Sequence, residues 1–503
     1  MPQNDNDNDT TVLEANAPDT TKEPNHYDQP PRSLIREILL VSVLCSSQLM
    51  TQAGLALSLV PLRIISSSFN TTNAGELSWY AASYSLTVGT FILIAGRLGD
   101  IFGHRLMFIV GFAWFSLWSL LGGIAVWSDQ IFFDICRAMQ GIGPALLLPN
   151  SIAILGRTYR PGPRKNMIFS LFGATAPGGF SIGAAMASLL AERLWWPWAY
   201  WIMAIACAML AVMGWLIIPQ SPSDSVDEKD VPTITRLDIP GSLVGVTGLI
   251  LVNFAWNQAP VVGWDVPYNY ALLIVGVLML AAFVYIELHS TCPLLPPSIF
   301  TKEVGWVLGC IATGWSSFGI LVFYYFQFLE VIKGDTPLLA SAKWSGVSVS
   351  GAIAAVTTGY LISRIRPSLI MLMAMLAFTV GQVLLATLPV NQTYWAQAFV
   401  ITIITPWGMD MSFPSGTLVL SNSLPREQQG VAASVVNTVV NYSISIGLGL
   451  AGTVERYTTV SGQDTLTGYR AASYMGTGLA GLGILTASLY VILDHKKHHK
   501  GSA

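Results

Sequence analysis

Long apolar runs separated by short polar breaks recur along almost the whole chain. A helix needs about 20 apolar residues to cross a hydrocarbon core of about 30 Å. On that measure spans are predicted at roughly 37–59, 78–96, 106–127, 131–155, 167–190 and 198–218, then 238–257 and 268–287. Six more follow near 304–329, 338–362, 368–389, 395–420, 430–454 and 471–493, which makes fourteen. A polar connection with Asp224, Asp227, Glu228, Lys229 and Asp230 separates the sixth from the seventh. The start of the chain is rich in Asn, Asp, Thr and Pro and cannot offset the entropy of ordering, so residues 1–35 are predicted to be a disordered tail without a cleavable signal peptide. The pattern divides the remainder into a six-helix half (36–218), a linker (219–237), two inserted spans (238–288), a second linker (289–303), a second six-helix half (304–494) and a tail (495–503).

Composition agrees with that pattern and narrows the function. Apolar residues make up 52% of the 503 and charged residues only 11%, against roughly 25% in a soluble domain. A soluble enzyme, a nucleic-acid-binding protein and a single-pass receptor are excluded. The net charge of −3 says little, because much of the acid lies in the tail. Cys45, Cys136, Cys207 and Cys310 fall in apolar runs and Cys292 in a connection, with no metal-like or disulfide spacing. None of the six histidines lies within a predicted span, and there is no phosphate-binding P-loop. Neither a metal nor another cofactor is expected.

Positive residues accumulate in cytoplasmic loops. With the N-terminus inside, eighteen Lys and Arg fall in cytoplasmic segments and six in outer ones, namely Arg63, Arg193, Lys333, Lys343, Arg456 and Arg470. Both termini are therefore expected in the cytoplasm. The glycosylation-type triplets at Asn70 and Asn391 then lie outside, and the one at Asn8 lies inside and unused.

A weak repeat relates the halves. The second span ends in Gly96-Arg97-Leu98-Gly99-Asp100 with Arg105 after it, and the tenth in Gly359-Tyr360-Leu361-Ile362-Ser363-Arg364 with Arg366 after it. If the seventh and eighth spans are an insertion, these two are equivalent, as in secondary transporters. Gly96, Asp100, Gly103 and Arg105 stand in a loop that resembles the G-x-L-x-D-R-x-G-R-R motif of the major facilitator superfamily. The resemblance implies a cytoplasmic latch in which Asp100 meets the start of the thirteenth span near Gly430. Ile101 and His104 replace basic residues of the motif, and Gly156-Arg157 stands where an acidic partner is often found, so a weaker electrostatic latch is expected. An ordinary charged turn would read similarly.

Three further stretches carry chemistry. Arg137 in Asp134-Ile135-Cys136-Arg137-Ala138-Met139-Gln140-Gly141 resembles the family's R-x-x-Q-G motif, which is associated with proton coupling. An arginine in hydrocarbon must face a partner or water. Asp134, three residues away on one helix face, could pair with it and share a proton-coupling role; the alternative is a structural ion pair near the outer boundary. Gly173, Pro177, Gly178 and Gly179 resemble the fifth-span motif of exporters, with the order of Pro and Gly shifted. Any tight helix crossing would look alike. Asp410 lies near the middle of the twelfth span, where a carboxylate is costly when charged, suited to gaining and losing a proton, and functional by default.

Gln48, Gln52, Gln140, Asn437 and Asn441, with Trp407 and Met411 beside Asp410, are candidates for the lining of a substrate cavity. The amides would serve equally as hydrogen bonds between helices. Phe323, Tyr324, Tyr325, Phe326 and Phe328 read as an interfacial aromatic belt. The whole is expected to be an all-α polytopic membrane protein with the major facilitator fold. It is similar to the fourteen-span drug:proton antiporters of the fungal aminotriazole-resistance type. That resemblance implies a monomer in the plasma membrane that exchanges protons for small toxic or specialised compounds. Proton-coupled uptake, or vacuolar transport of amino acids or siderophores, is the alternative within the fold. A membrane enzyme or sensor lacks both a convergent catalytic site and a soluble domain.

Overall fold

The computed structural model describes residues 33–71, 73–160, 162–220, 238–290, 293–295, 299–422, 429–459 and 464–501. Residues 1–32 of the expected tail, most of the 219–237 linker, Cys292, Thr72 and the side chains near Gly430 lie outside these residues, and Leu34 and Ile35, expected in the tail, already belong to α1. Everything described is helix or short connection. The first half holds α1 (Leu34–Leu59), the short α2 (Leu62–Ser68), α3 (Ala74–Phe102), α4 (His104–Ile124), α5 (Gln130–Thr158), α6 (Pro163–Arg193) and α7 (Pro197–Ile217). The inserted pair is α8 (Ile239–Val262) and α9 (Pro267–His289). The second half holds α10 (Lys302–Gln327), α11 (Pro337–Trp344), α12 (Gly346–Ile362), α13 (Pro367–Ala386), α14 (Gln397–Asn422), α15 (Gln429–Thr458) and α16 (Thr465–Gly501).

Thirteen segments among the described residues are long and apolar enough to cross a bilayer. The fourteenth, α14, has the length, 26 residues, but Thr402, Thr405, Asp410, Ser412 and Ser415 interrupt its apolar run. An even number of crossings returns the chain to the face on which it starts, the termini face; the opposite side is the far face. The tenth span, expected as one helix, is two: α11 ends at Trp344 and α12 starts at Gly346. His104, expected in a connection, opens α4.

The halves meet along two seams where small residues let backbones approach. On the α3–α15 seam, a Cβ added to Gly89 would lie 2.8 Å from the Tyr442 backbone nitrogen, and one on Gly96 2.9 Å from Ser434 Oγ. Ser445 Oγ donates to the Ala82 carbonyl on the same seam (3.1 Å). On the α6–α12 seam, Ser348 Oγ pairs with Ser181 Oγ at 2.7 Å and reaches the Pro177 carbonyl at 3.3 Å. Nearer the far face Ser188 and Ser341 pair at 2.9 Å. Without water in hydrocarbon, such hydroxyl bonds and close van der Waals contact are what holds helices together.

The inserted pair covers the first seam from outside. A Cβ on Gly449 of α15 would lie 2.6 Å from the Trp256 carbonyl oxygen of α8. The Arg456 guanidinium donates to the carbonyls of Pro260, Val261 and Val262, closing the frayed end of α8. Beyond it, α9 buries little but Asn269, Gly276 and Glu287 and turns an apolar face outward.

The expected aromatic belt at the end of α10 is overturned. Phe323, Tyr324, Tyr325, Phe326 and Phe328 are all at most 4% exposed. The reason is position: α10 is central in its half, against α15, α16 and α13, so its aromatics pack on Trp344, Phe180 and Tyr469. Exposed far-face aromatics occur at other positions, Trp127, Trp195 and Trp198 in the first half and Trp395 in the second.

Adjacent glycines in α6 make opposite predictions. A Cβ on Gly179 would fall 2.4 Å from the Leu49 carbonyl of α1, whereas nothing lies within 4 Å of one on Gly178. Gly179→Ala is expected to destabilise the protein by about 1–3 kcal/mol and Gly178→Ala to be neutral, as read by thermal melting in detergent.

Candidate functional site

Arg137 is fully buried in the first half. Its Nε donates to the Tyr80 carbonyl at 2.9 Å, and Nη1 donates to Gln140 Oε1, whose amide nitrogen donates in turn to Ser119 Oγ at 2.7 Å. The guanidinium faces the rings of Tyr84 (4.7 Å) and Tyr200 (5.9 Å). This corrects the expected ion pair with Asp134. The Asp134 carboxylate accepts from the Gln130 side chain, and its Oδ1 has no partner. Two carbonyl oxygens and two aromatic faces surround the guanidinium, and its Nη2 has no hydrogen-bond partner. All the groups that hold Arg137 belong to the first half, on α3, α4, α5 and α7.

Asp410 stands elsewhere. On α14, Gly408 packs against Phe378 of α13, and Ser412 accepts a hydrogen bond from Trp315 Nε1 of α10 at 3.1 Å. At 100° per residue, a side chain at 410 emerges on the opposite side of the helix from 408 and 412. It meets α12, at the seam with α6. A Cβ added to Gly351 would lie 3.2 Å from Asp410 Oδ2 and 2.7 Å from Pro177 Cγ. The carboxylate, 9% exposed, has its Oδ2 without a hydrogen-bond partner. Asp410 and Pro177, separate motifs in the sequence, are thus brought to one point by Gly351. Sequence reasoning missed that glycine, since one small residue among Ser348, Ser350 and Ala352 carries no local signal. The structure does not bring Arg137 and Asp410 together.

The other candidates divide. Gln48 and Gln52 are half-buried on α1. Met411 is buried in the core of its half and Trp407 is partly buried against it. Gln140 is committed to Arg137. Asn441 stands on the α3–α15 seam and donates to the Asn437 carbonyl of its own helix (3.0 Å), and Asn437 is buried. A polar knot was missed: Asn253 and Asn257 of α8, both fully buried, meet Ser445 of α15 at 2.7 and 3.2 Å. Two asparagines four apart in an apolar span were a readable signal for it.

At the termini face, Gly103 has φ +96°, a region that favours glycine, and it separates α3 from α4. Asp100 contacts His104 Nε2 at 3.3 Å and Arg157 Nη2 at 3.8 Å, so the histidine and arginine noted as departures from the motif are its partners. His104 Nδ1 lies 2.7 Å from Asn150 Oδ1, and the Asn150 amide donates to the carbonyls of Ala95 and Leu146. Arg105 donates to the Trp215 carbonyl. Gly96 is the latch residue seen against α15. Of the export motif, Gly173 and Gly178 have no close neighbour and Gly179 touches α1. Asn70 and Asn391 are exposed on the far face.

Two helical halves that touch along two seams, with an unpartnered intramembrane carboxylate at one, define a multi-pass membrane transporter of small molecules. The chain belongs to the Major Facilitator Superfamily, whose model matches residues 43–449 and 305–503. It is 62% identical to the low affinity ammonium transporter of Saccharomyces cerevisiae, over 94% of this chain and 92% of that one. It is 44% identical to the efflux pump terJ of Aspergillus terreus (93% and 90% covered) and 39% identical to the aminotriazole resistance protein of S. cerevisiae (93% and 86%). In fold it matches a mutant form of the nucleoside transporter NupG, at TM-score 0.61 and 13% identity, over 90% of this chain and 99% of that one.

Removing the Arg137 side chain orphans the buried Gln140 acceptor, at about 1–3 kcal/mol, while the Tyr80 carbonyl keeps the Ser58 hydroxyl as a donor at 2.9 Å. Arg137→Ala is expected to lower the melting temperature sharply. Arg137→Lys is expected not to restore it, because one ammonium cannot reproduce the planar fork and the stacking.

Proposed function

We propose that this protein is a proton-coupled secondary transporter that exports small toxic or specialised compounds by alternating access, with Asp410 as the proton carrier. The observation that carries the reading is the Asp410 carboxylate, buried without a partner for Oδ2 where α14, α12 and α6 converge. An ionisable group in that position is costly and by default functional. Because it sits against a seam between the halves, rocking of α6 past α12 changes its surroundings, and with them its hold on a proton. Export is supported by the efflux-pump relatives and by the placing of Pro177, the proline of the fifth-span motif, at the same point.

In this reading Asp134 and Arg137 shape the first half, and Asp410 alone exchanges the proton. The termini face is cytoplasmic, by the excess of Lys and Arg there, and the membrane is the plasma membrane. The exposed triplets at Asn70 and Asn391 then face outside and are available for glycosylation.

A second reading has one specific support, the relative at 62% identity that is named an ammonium transporter. Under it the substrate is a small cation, and Asp410 serves that cation or its proton.

The protein reconstituted in proteoliposomes tests both. An aminotriazole gradient is expected to drive opposing proton flux in the wild type, and Asp410→Asn to abolish it while the protein still folds. Normal flux in that variant would sink the proton role. Flux driven by ammonium and not by aminotriazole would favour the second reading. Gly351→Val, which fills the notch between Pro177 and Asp410, is expected to slow transport at least about tenfold, the effect of about 1.4 kcal/mol on a barrier.

A further inference from the structure

We propose that the second half carries a binding site for an anionic phospholipid headgroup bearing a phosphomonoester, at the termini face between the α12–α13 turn and the end of α16. A cavity lies there. It measures ≈ 570 Å³ and is lined by Arg364, Ile365, Arg366, Ser368, Leu369, Val491 and His495.

Its chemistry is that of phosphate recognition. Two guanidinium groups, both on exposed residues, and an imidazole border one cavity. Guanidinium forks match phosphate oxygens bidentately. The Arg364 guanidinium is stacked 4.1 Å from the centre of the Tyr360 ring, which holds it at the rim. Ser368 lies in the first turn of α13, at the positive end of a 20-residue helix. Its hydroxyl donates to Asp494 Oδ2 at 2.7 Å, so that carboxylate is engaged by a neighbour.

Size and setting favour a headgroup over a bare ion. The volume lies in the range of small-molecule sites, about 300–1,000 Å³, far more than one phosphate fills. Ile365, Leu369 and Val491 supply apolar wall, and Leu489, Ile492 and Leu493 of α16 are about half exposed on the helix that leads from the cavity into the bilayer. A phosphorylated polyol in the cavity with its acyl chains along α16 satisfies both kinds of lining. Basic pockets between helices on the cytoplasmic side are suited to such lipids. The leaflet rests on the orientation proposed above, but binding in detergent does not, so the two fail independently of each other.

The test is thermal stabilisation of the purified full chain in detergent, titrated with dioctanoyl phosphatidylinositol phosphate, dioctanoyl phosphatidylcholine and inorganic phosphate. A ligand that binds only the folded state raises the melting temperature with its concentration. The phosphoinositide is expected to stabilise the wild type and phosphatidylcholine to have no effect. The pair Arg364→Gln and Arg366→Gln is expected to weaken the half-saturating concentration by at least about tenfold, and the corresponding Lys pair to recover part of it, since lysine keeps the charge without the fork. Should the double Gln variant fail to give one size-exclusion peak, Arg366→Gln alone supplies the comparison. Equal stabilisation by phosphatidylcholine, or an unchanged titration in the Gln variants, would overturn the site. Saturation by inorganic phosphate at the same concentration as the lipid would overturn the headgroup assignment.

Discussion

Hydrocarbon offers no hydrogen bonds, and the rest of this structure depends on that constraint. Every backbone polar group inside the bilayer must find its partner within the protein, and a side chain left without one is costly. The backbone does so by forming helices throughout. The side chains do so where two helices approach closely enough, which happens where glycine, alanine and serine remove bulk. The α3–α15 and α6–α12 seams are built in this way, from Gly89, Gly96 and Ser445 on one side and Pro177, Ser181, Ser348 and Gly351 on the other.

The same constraint separates two charges of opposite fate. Arg137 is enclosed by a carbonyl, an amide and two tyrosine rings, and its half is folded around it. Asp410 is left with an unpartnered oxygen at the boundary between the two halves. Neither set is complete, since Arg137 Nη2 also has no hydrogen-bond partner, but the groups around Arg137 belong to its own half whereas Asp410 lies against a seam between the halves. The family and its relatives agree that such a chain moves small molecules across a membrane.

The inserted pair takes a defined part in this arrangement. By laying α8 over the α3–α15 seam and tying Asn253 and Asn257 to Ser445, it adds buried hydrogen bonds to one seam and leaves the seam at Asp410 uncovered by α8. The two contacts between the halves are therefore unequal, one reinforced and one bare.

Much of this was legible in sequence, for a local reason. The cost of placing a residue in hydrocarbon depends on that residue, so the fourteen spans, the excess of Lys and Arg at one face and the rarity of Asp134, Arg137 and Asp410 could be read position by position. Partner choice is not local. Nothing in the order of residues said that Arg137 would take the Tyr80 carbonyl rather than Asp134, or that the α10 aromatics would lie at the centre of their half. Nor did it bring Gly351 between Pro177 and Asp410. Those outcomes depend on which helix faces come together across hundreds of residues of chain, and only the tertiary structure decided them.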